Sequence, residues 1–311
     1  MAARRRFVLC ACITSLWLVC PGIILGQPPT REALRRATPK PQGEGGPPVS
    51  PKPGQRATRP GVGGFRVCAD PDNLPFSNRK LEGFENKLAE LIAKDFGATP
   101  TYTWWGQRRG FIRNTMNATL EEGRCEIVMG VPANYDLVQT TKPYYRSTYV
   151  FVYPKGKGLA IRSLDDPVLK TLKIGVHLLG DDYENPPPVH ELSKRGIVDN
   201  VVGFNTFYSD QNPPSTIIDA VASGRIAVAI VWGPLAGYFA QRQRVPLDLV
   251  PIPSGKGDLP FAFDISMGVK KGNEALRTRL QQVLDARHAE IATILKDYGV
   301  PLSARKVTPT R

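Results

Sequence analysis

The segment TYTWWGQRRGF (101–111) places Trp104, Trp105, Arg108 and Arg109 within six consecutive positions. Aromatic side chains interleaved with arginine can stack on single-stranded nucleic acid, hold a small molecule through cation–π contacts, or anchor a protein partner. The plainer alternative is that the tryptophans pack in a core and the arginines begin a solvated helix. The surrounding elements must decide between these uses.

Other residues that could do chemistry are few. His177, His190 and His288 are far apart in the chain, and no C-x-x-C, G-x-S-x-G or complete P-loop is present. The acidic stretch DDYE (181–184) could coordinate a hard cation, but a solvated loop before the run of three prolines explains it better. We therefore expect no catalytic residue, no metal site and no cofactor.

The amino terminus has the pattern of an export signal. Arginines at 4–6 precede an apolar run over 7–18, and Gly26 offers a cleavage point. Pro21 interrupts the run, which disfavours a membrane anchor of about 20 apolar residues. We interpret residues 1–26 as a signal peptide and expect a periplasmic protein that is not embedded in the membrane.

The charge distribution argues against a nucleic-acid-binding protein. Of the net charge of +13, the signal carries +3, residues 27–60 carry +5 and the tail 304–311 carries +3, which leaves +2 for residues 61–303. Residues 27–60 are rich in Pro, Gly and Arg, so we interpret them as a disordered linker. Phosphate binding needs a basic surface on the folded part, and the folded part is nearly neutral.

Two cysteines, Cys68 and Cys125, remain after the signal is removed. In an oxidising compartment this pair could form one disulfide. Two buried free thiols fit the sequence equally well.

Strands alternate with helices through the next part of the chain. Apolar runs predict strands at 65–70, 101–105, 125–131 and 147–153. Helical spacing predicts a helix from Phe84 to a stop at Gly97, and another over 109–121. This alternation indicates βαβ units and a parallel sheet.

The same pattern then begins again. Strands are predicted at 173–178, 198–204, 227–232 and 264–272, with helices at 189–196 and 215–224. An amphipathic region over 276–295 is predicted to close the fold as two consecutive helices. The restart suggests two lobes built on one plan.

Several motifs in order resemble a known family. FRVCADPDNLPFSN, GFENKLAELIAKDFG, EIVMGV and KPYYRSTYVFVY are similar to the first lobe of type II periplasmic solute-binding proteins. Four motifs that follow one another in the chain together resemble the MxaJ/XoxJ-like subfamily, which is associated with PQQ-dependent (quinoprotein) methanol dehydrogenases. They are ADPDNLPFSN, YTWWGQRRGFIRNTMNA, MGVPANYD and KPYYRSTYVFVY. The resemblance covers residues 64–303.

The resemblance implies a bilobal α/β fold, with two parallel-rich lobes joined by two crossover strands. Lobe 1 would comprise residues 61–154 and 255–303, and lobe 2 residues 155–254. In open α/β sheets the carboxyl ends of the strands face the crevice where ligands bind. The residues that this places in the ligand or partner cleft are Asp70, Asn73, Phe76, Trp104, Trp105, Arg108, Arg109, Asn134, Tyr135, Tyr144, Tyr145, His177, Asp181 and Trp232.

Amino-acid receptors of this fold hold the ligand carboxylate with an Arg and the ammonium with an Asp. Alignment on the P-Y-Y motif places Asn134 or Tyr135 at the Arg position, and alignment on Pro234 places Trp232 at the Asp position. A buried ligand charge without its partner costs several kcal/mol. We therefore expect no tight binding of ordinary amino acids.

The leading hypothesis is a non-catalytic periplasmic protein that docks a quinoprotein dehydrogenase, alone or with its cytochrome c, and assists its maturation or activation. The dehydrogenase is implied only by the resemblance. The alternative is the solute receptor of an ABC importer for a small non-amino-acid ligand. A third, weaker hypothesis is an enzyme that uses Asp181, Asp182 or Glu184 as acid or base.

Overall fold

The computed structural model describes residues 64–119, 124–179, 185–253, 255 and 258–304. The predicted signal peptide, the linker, the acidic stretch 181–184 and most of the basic tail fall outside these residues.

The strands form one mixed sheet in the spatial order β4-β1-β5-β12-β7-β10-β8-β9, with β6 beside β12, β11 beside β7, and β2 and β3 in a separate hairpin. Their bounds are β1 Phe65–Ala69, β2 Asp72–Asn73, β3 Ser77–Asn78, β4 Pro100–Trp104, β5 Ile127–Pro132, β6 Gln139–Thr140, β7 Tyr145–Pro154, β8 Ile174–Leu178, β9 Val201–Asn205, β10 Val228–Trp232, β11 Leu247–Pro251 and β12 Ala262–Val269.

Helices cover the faces of this sheet. They are α1 Phe84–Asp95, α2 Phe111–Asn114, α3 Pro187–Lys194, α4 Thr216–Ala222, α5 Gly233–Ala240, α6 Glu274–Ala286 and α7 His288–Asp297, with a short 3-10 helix at Pro167–Lys170.

Two groups of parallel strands lie at opposite ends of the sheet. Strands β4, β1 and β5 run parallel in the first, and β9, β8 and β10 run parallel in the second. The predicted two-lobed α/β architecture is therefore confirmed, and we call these groups with their helices the first and second lobes.

Strand β7 connects the lobes because it changes partners along its length. Residues 145–148 pair with β12, and residues 149–154 pair with β10 and β11. At the change, the Tyr149 N–H donates to Phe261 O at 2.9 Å, and the Ile252 N–H donates to Tyr149 O at 3.1 Å. The domain boundaries at 154/155 and 254/255 stay a prediction; we propose that the first crossover falls earlier, between Thr148 and Tyr149.

Each lobe buries both faces of its sheet, and the sequence of its strands reflects this. In β10, Val228 and Ile230 belong to one core cluster, and Ala229 and Val231 to another. Successive side chains of a strand point to opposite faces, so a strand covered on both sides is a continuous apolar run. The same holds for β5 in the first lobe.

Most predicted elements are confirmed. The short strands β2, β3 and β6 and the 3-10 helix were not predicted, and three other elements also differ from the prediction. The helix expected over 109–121 ends at Asn114, where the Thr115 hydroxyl donates to Phe111 O at 2.7 Å. Helix α5 was not predicted, because Gly233 and Pro234 suggested an exit; proline is tolerated in the first helical turn, where its missing N–H is not needed. Strand β11 was also not predicted.

Candidate functional site

The Asp70 carboxylate forms hydrogen bonds with two loops at the carboxyl end of the first lobe's strands, the loop after β1 and the turn after β4. It accepts the N–H of Asp72 at 2.9 Å and the N–H of Gln107. The Asp70 N–H donates to Ser77 Oγ at 3.1 Å, and the Ser77 hydroxyl donates back to Asp70 O at 2.8 Å. Burial raises the pKa of Asp70, although the two N–H donors act in the opposite direction. The loop after β1 and the turn after β4 therefore share one rigid support.

The two adjacent tryptophans point in different directions. Trp104 stacks on Tyr102 with 4.8 Å between ring centroids, and it packs against the first lobe's core. Trp105 is 38% exposed, although its backbone N–H donates to Ala69 O at 2.9 Å. Strand alternation explains the difference, since Tyr102 and Trp104 share a face that Trp105 does not.

The arginines of this segment lie at the surface. Arg108 and Arg109 are both exposed. The guanidinium of Arg108 lies 5.3 Å from the ring centroid of Phe207, a residue of the second lobe. The turn after β4 thus reaches across to the other lobe.

His177 and Tyr208 form the second lobe's side of the site. The Tyr208 hydroxyl lies 3.5 Å from His177 Nε2. Burial lowers the pKa of His177 to about 4, so its imidazole is neutral at pH 7. Burial, with smaller contributions from Asp70 and Tyr149, raises the pKa of Tyr208. The phenol of Tyr208 therefore occupies the region between the lobes, near the Asp70 carboxylate.

Trp232 ends β10 and lies in an aromatic cluster at the crossover. Its ring is 5.3 Å from Tyr149 and 5.9 Å from Phe263, in edge-on geometries typical of stabilising aromatic pairs. It also packs against the first lobe's core. Trp232 therefore joins the two lobes.

Several of the other predicted cleft residues lie elsewhere. Asn134 and Tyr135 line an open depression of about 470 Å³ with Lys271, Glu274 and Arg277, which contains no other predicted cleft residue. Three more pack in or beside the first lobe's core. They are Phe76, whose ring is 5.3 Å from Phe84, Tyr144 and Tyr145. Asn73 lies beside Asp70, because its amide donates at 3.2 Å to Oε1 of Gln107, whose N–H is bonded to the Asp70 carboxylate. Asp181 is outside the described residues.

Cys68 and Cys125 are joined by a disulfide, with 5.2 Å between their Cα atoms. Both are buried in a small cluster with Phe111, Ile112 and Met116. The bond therefore holds the segment around α2, next to the Trp–Arg turn, against the sheet.

The sequence reasoning missed two features of this region. Glu85, in the first turn of α1, is buried, and its carboxylate lies over Gly130, where a Cβ would come within 2.3 Å of Glu85 Oε1. The pKa of Glu85 is raised to about 8, mainly by burial of its carboxyl and to a smaller extent by the negative charge of Asp70. An acidic residue beside the apolar stripe of α1 was the available signal, but acidic residues are common in first helical turns.

The second missed feature is the loop 205–212, NTFYSDQN, which supplies Phe207 and Tyr208. A cluster of Asn, Ser and Asp after a strand indicated a turn. Nothing in the sequence indicated that this turn would face the other lobe.

Comparison with known proteins assigns the fold to a family. Residues 65–301 match the bacterial extracellular solute-binding proteins, family 3. The chain belongs to this family. The protein MoxJ of Methylorubrum extorquens is 30% identical over 256 residues, which is 79% of this chain and 84% of MoxJ.

Two solved structures are similar to this chain over most of its length. The periplasmic binding protein XoxJ from Methylobacterium extorquens AM1 is 36% identical, with a TM-score of 0.64 over 78% of this chain and 100% of XoxJ. MxaJ from Methlophaga aminisulfidivorans MPT is 27% identical, with a TM-score of 0.66 over 77% of this chain and 100% of MxaJ.

Two further observations concern the described residues. Among the described residues, no three His, Cys, Asp or Glu side chains are placed to hold a metal ion. In the same part of the chain, no helix has the length and apolarity needed to cross a bilayer.

We expect no amino-acid binding, because Trp232, which the alignment of the sequence places at the ammonium-binding position, carries no charge and packs against Tyr149 and Phe263. Titration calorimetry of the purified protein with arginine, glutamate, leucine and phenylalanine should give no binding heat at micromolar concentrations. Saturable micromolar binding of any of them would contradict this. An amino-acid receptor of the same family is the positive control.

Proposed function

We propose that this chain is a non-catalytic periplasmic binding-protein homologue that docks a quinoprotein methanol or alcohol dehydrogenase and assists its maturation or activation. The observation that carries the proposal is that aromatic side chains lie where the two lobes meet: the ring of Trp232 is 5.3 Å from that of Tyr149, and the Tyr208 hydroxyl is 3.5 Å from His177 Nε2. The family and the predicted export signal support a periplasmic location.

The mouth of this region has the residue types of a protein interface. Trp105 is 38% exposed and Phe207 is 47% exposed, and the Arg108 guanidinium lies over Phe207. Exposed aromatics and arginines are enriched in interface hot spots. Their support is rigid, since Asp70 and Ala69 hold the backbone of the turn, so little ordering entropy opposes association.

The dehydrogenase as partner rests on the similarity to MoxJ, XoxJ and MxaJ together with the subfamily resemblance of the motifs in 70–153. The cofactor PQQ would belong to that partner, and we propose no cofactor for this chain.

Binding to the purified dehydrogenase of the same host tests the proposal. The wild-type protein should bind, and Trp105→Ala should weaken the affinity about tenfold or more, because an interface tryptophan carries a large share of the binding free energy. Biolayer interferometry gives the dissociation constants. Pull-downs from the host that never enrich the dehydrogenase would refute the proposed function.

Val245→Ala is the matched control for Trp105→Ala. Val245 is also 38% exposed, but it precedes β11, whose first residue pairs with Pro154 at the far end of β7 from the crossover. Its substitution should leave the affinity unchanged. Melting temperatures of both variants must match the wild type, since a loss of folding would mean that Trp105 acts in packing.

The family description favours a second candidate, a solute receptor for a small non-amino-acid ligand. In that case one class of metabolite should raise the melting temperature and reduce the radius of gyration. A gene neighbourhood with an ABC permease and no dehydrogenase would favour this candidate.

A further inference from the structure

Two groups of contacts join the lobes outside the crossover. In the first, Tyr238 of α5 stacks on Tyr298 of the first lobe with 5.5 Å between ring centroids. The second group is made by the loop 205–212. Phe207 lies under Arg108, and Tyr208 lies between His177 and the Asp70 side of the first lobe. We propose that the loop 205–212 is an intramolecular latch that holds the two lobes closed in the absence of any solute. This inference is independent of the dehydrogenase.

The loop is built by its own side chains, which makes it a rigid element. Asn205 Oδ1 accepts the Phe207 N–H at 2.7 Å. The Asn212 amide donates to Asn205 O at 3.2 Å and to Phe207 O at 3.0 Å. Ser209 and Asn212 form an isolated bridge. Because the loop geometry is fixed by these local bonds, closing the lobes orders few additional groups.

The surface that receives the loop is equally fixed. The Asp70 carboxylate is bonded to two backbone N–H groups, which hold the loop after β1 against the turn that carries Arg108. Leu74, in that loop of the first lobe, packs against a core cluster of the second lobe that includes Phe204. Tyr208 packs against the same cluster. Apolar contacts from both lobes therefore meet beside the loop.

Tyr208 takes the role that a ligand has in a receptor of this architecture. A bound solute normally stabilises the closed form through contacts to both lobes. Here the phenol lies beside His177 of its own lobe and close enough to Asp70 and Tyr149 for their charges to affect it. A ligand has less to add to closure when a side chain already supplies these contacts.

One feature opposes closure. Asp72 of the first lobe and Asp210 of the loop are both exposed residues. The pKa of Asp72 is raised, first by partial burial of its carboxyl and second by the negative charge of Asp210. Two carboxylates that face each other across the lobes repel, so the latch is opposed by a like-charge pair. The attractive contacts of Phe207 and Tyr208 must exceed this repulsion for the closed form to dominate.

Small-angle X-ray scattering of the solute-free protein tests the latch. The wild type should fit a single closed form, and the double variant Phe207→Ala/Tyr208→Ala should show a larger radius of gyration. Val245→Ala, a substitution of another exposed apolar residue at the far end of the second lobe, should scatter like the wild type. An open wild type, or a double variant with unchanged dimensions, would overturn the proposal.

Arg108→Gln provides a second variant with little risk to folding, because its side chain is exposed. Its radius of gyration should also exceed that of the wild type, because the contact between Arg108 and Phe207 is lost. A melting temperature equal to that of the wild type separates opening of the lobes from unfolding. Unchanged dimensions in Arg108→Gln and in the double variant would refute the latch. None of these measurements uses the dehydrogenase, so the latch and the docking proposal can fail separately.

Discussion

Replacing Glu85 with glutamine should remove a fall in stability that the wild-type protein shows between about pH 5 and pH 8. The carboxyl is buried, and Asp70 lies nearby, so folding raises its pKa from 4.5 to about 8. Below about pH 4.5 the group is protonated in both states, and its contribution to stability is fully present. Above the folded pKa it is ionised in both states, and that contribution is lost.

Between these limits only the unfolded chain is ionised. The free energy of unfolding should therefore fall by as much as about 1.4 kcal/mol per pH unit. Urea denaturation of the wild type and Glu85→Gln at several pH values gives the difference directly. The variant should become more stable than the wild type by a growing margin as the pH rises. Asp70, whose pKa is also raised, is present in both proteins and cancels to first order.

Glu90→Gln is the matched control for Glu85→Gln. Glu90 lies on the same helix, but its side chain is 42% exposed beside Lys87. Its substitution should leave the pH profile parallel to that of the wild type. A Glu85→Gln profile that is also parallel would show that the carboxyl is ionised in the folded state.

Removing the disulfide is the second large perturbation. Cys68 and Cys125 are separated by 57 positions, so their bond restricts a long loop in the unfolded chain. The double variant Cys68→Ala/Cys125→Ala should lose about 2–4 kcal/mol of unfolding free energy. Chemical denaturation at constant pH measures this loss. The wild type treated with dithiothreitol should show a comparable loss, whereas the double variant should not respond to the reductant.

The loss should also have a local component. The disulfide belongs to the small core under α2, next to the turn that carries Trp105 and Arg108. Hydrogen exchange over 111–119 should therefore increase more than exchange in the second lobe. Equal midpoints for the oxidised wild type and the double variant would mean that the bond contributes nothing beyond packing.

The docking surface and the latch share Arg108 and Phe207, which couples them physically. If the partner binds the face of the closed form, docking and closure stabilise each other. Substitution of Phe207 would then weaken docking indirectly, through the lobes, as well as directly. Trp105 is the cleaner probe of docking, since its exposed side chain lies on the first lobe alone.

The sequence by itself determined the fold class, the family resemblance and the position of most strands and helices. Runs such as VAIVW in β10 predict strands buried on both faces, and the spacing of Phe84, Leu88 and Ile92 predicts one face of a helix. These patterns involve residues that are close together in the chain, so they can be recognised in a single sequence. The MxaJ/XoxJ-like resemblance rested on short motifs that the family comparison confirms.

The residues of the site were harder to predict than the fold. Whether a residue belongs to the site depends on the direction of its side chain and on its contacts with residues far away in the chain. Motif order could place Asn134, Tyr135 and Trp105 near strand ends, but it could not tell which face each side chain takes. The sequence also left open whether Cys68 and Cys125 form a disulfide, because the distance between two thiols in the folded protein cannot be deduced from their separation of 57 positions in the chain.

Only the tertiary structure decided that Tyr208 and Trp232 occupy the space between the lobes, and that Glu85 is buried beside Asp70. The physical reason is common to all three. Burial and electrostatic environment arise when segments far apart in the chain meet, and the sequence near each residue specifies its own backbone but not the neighbours that surround it.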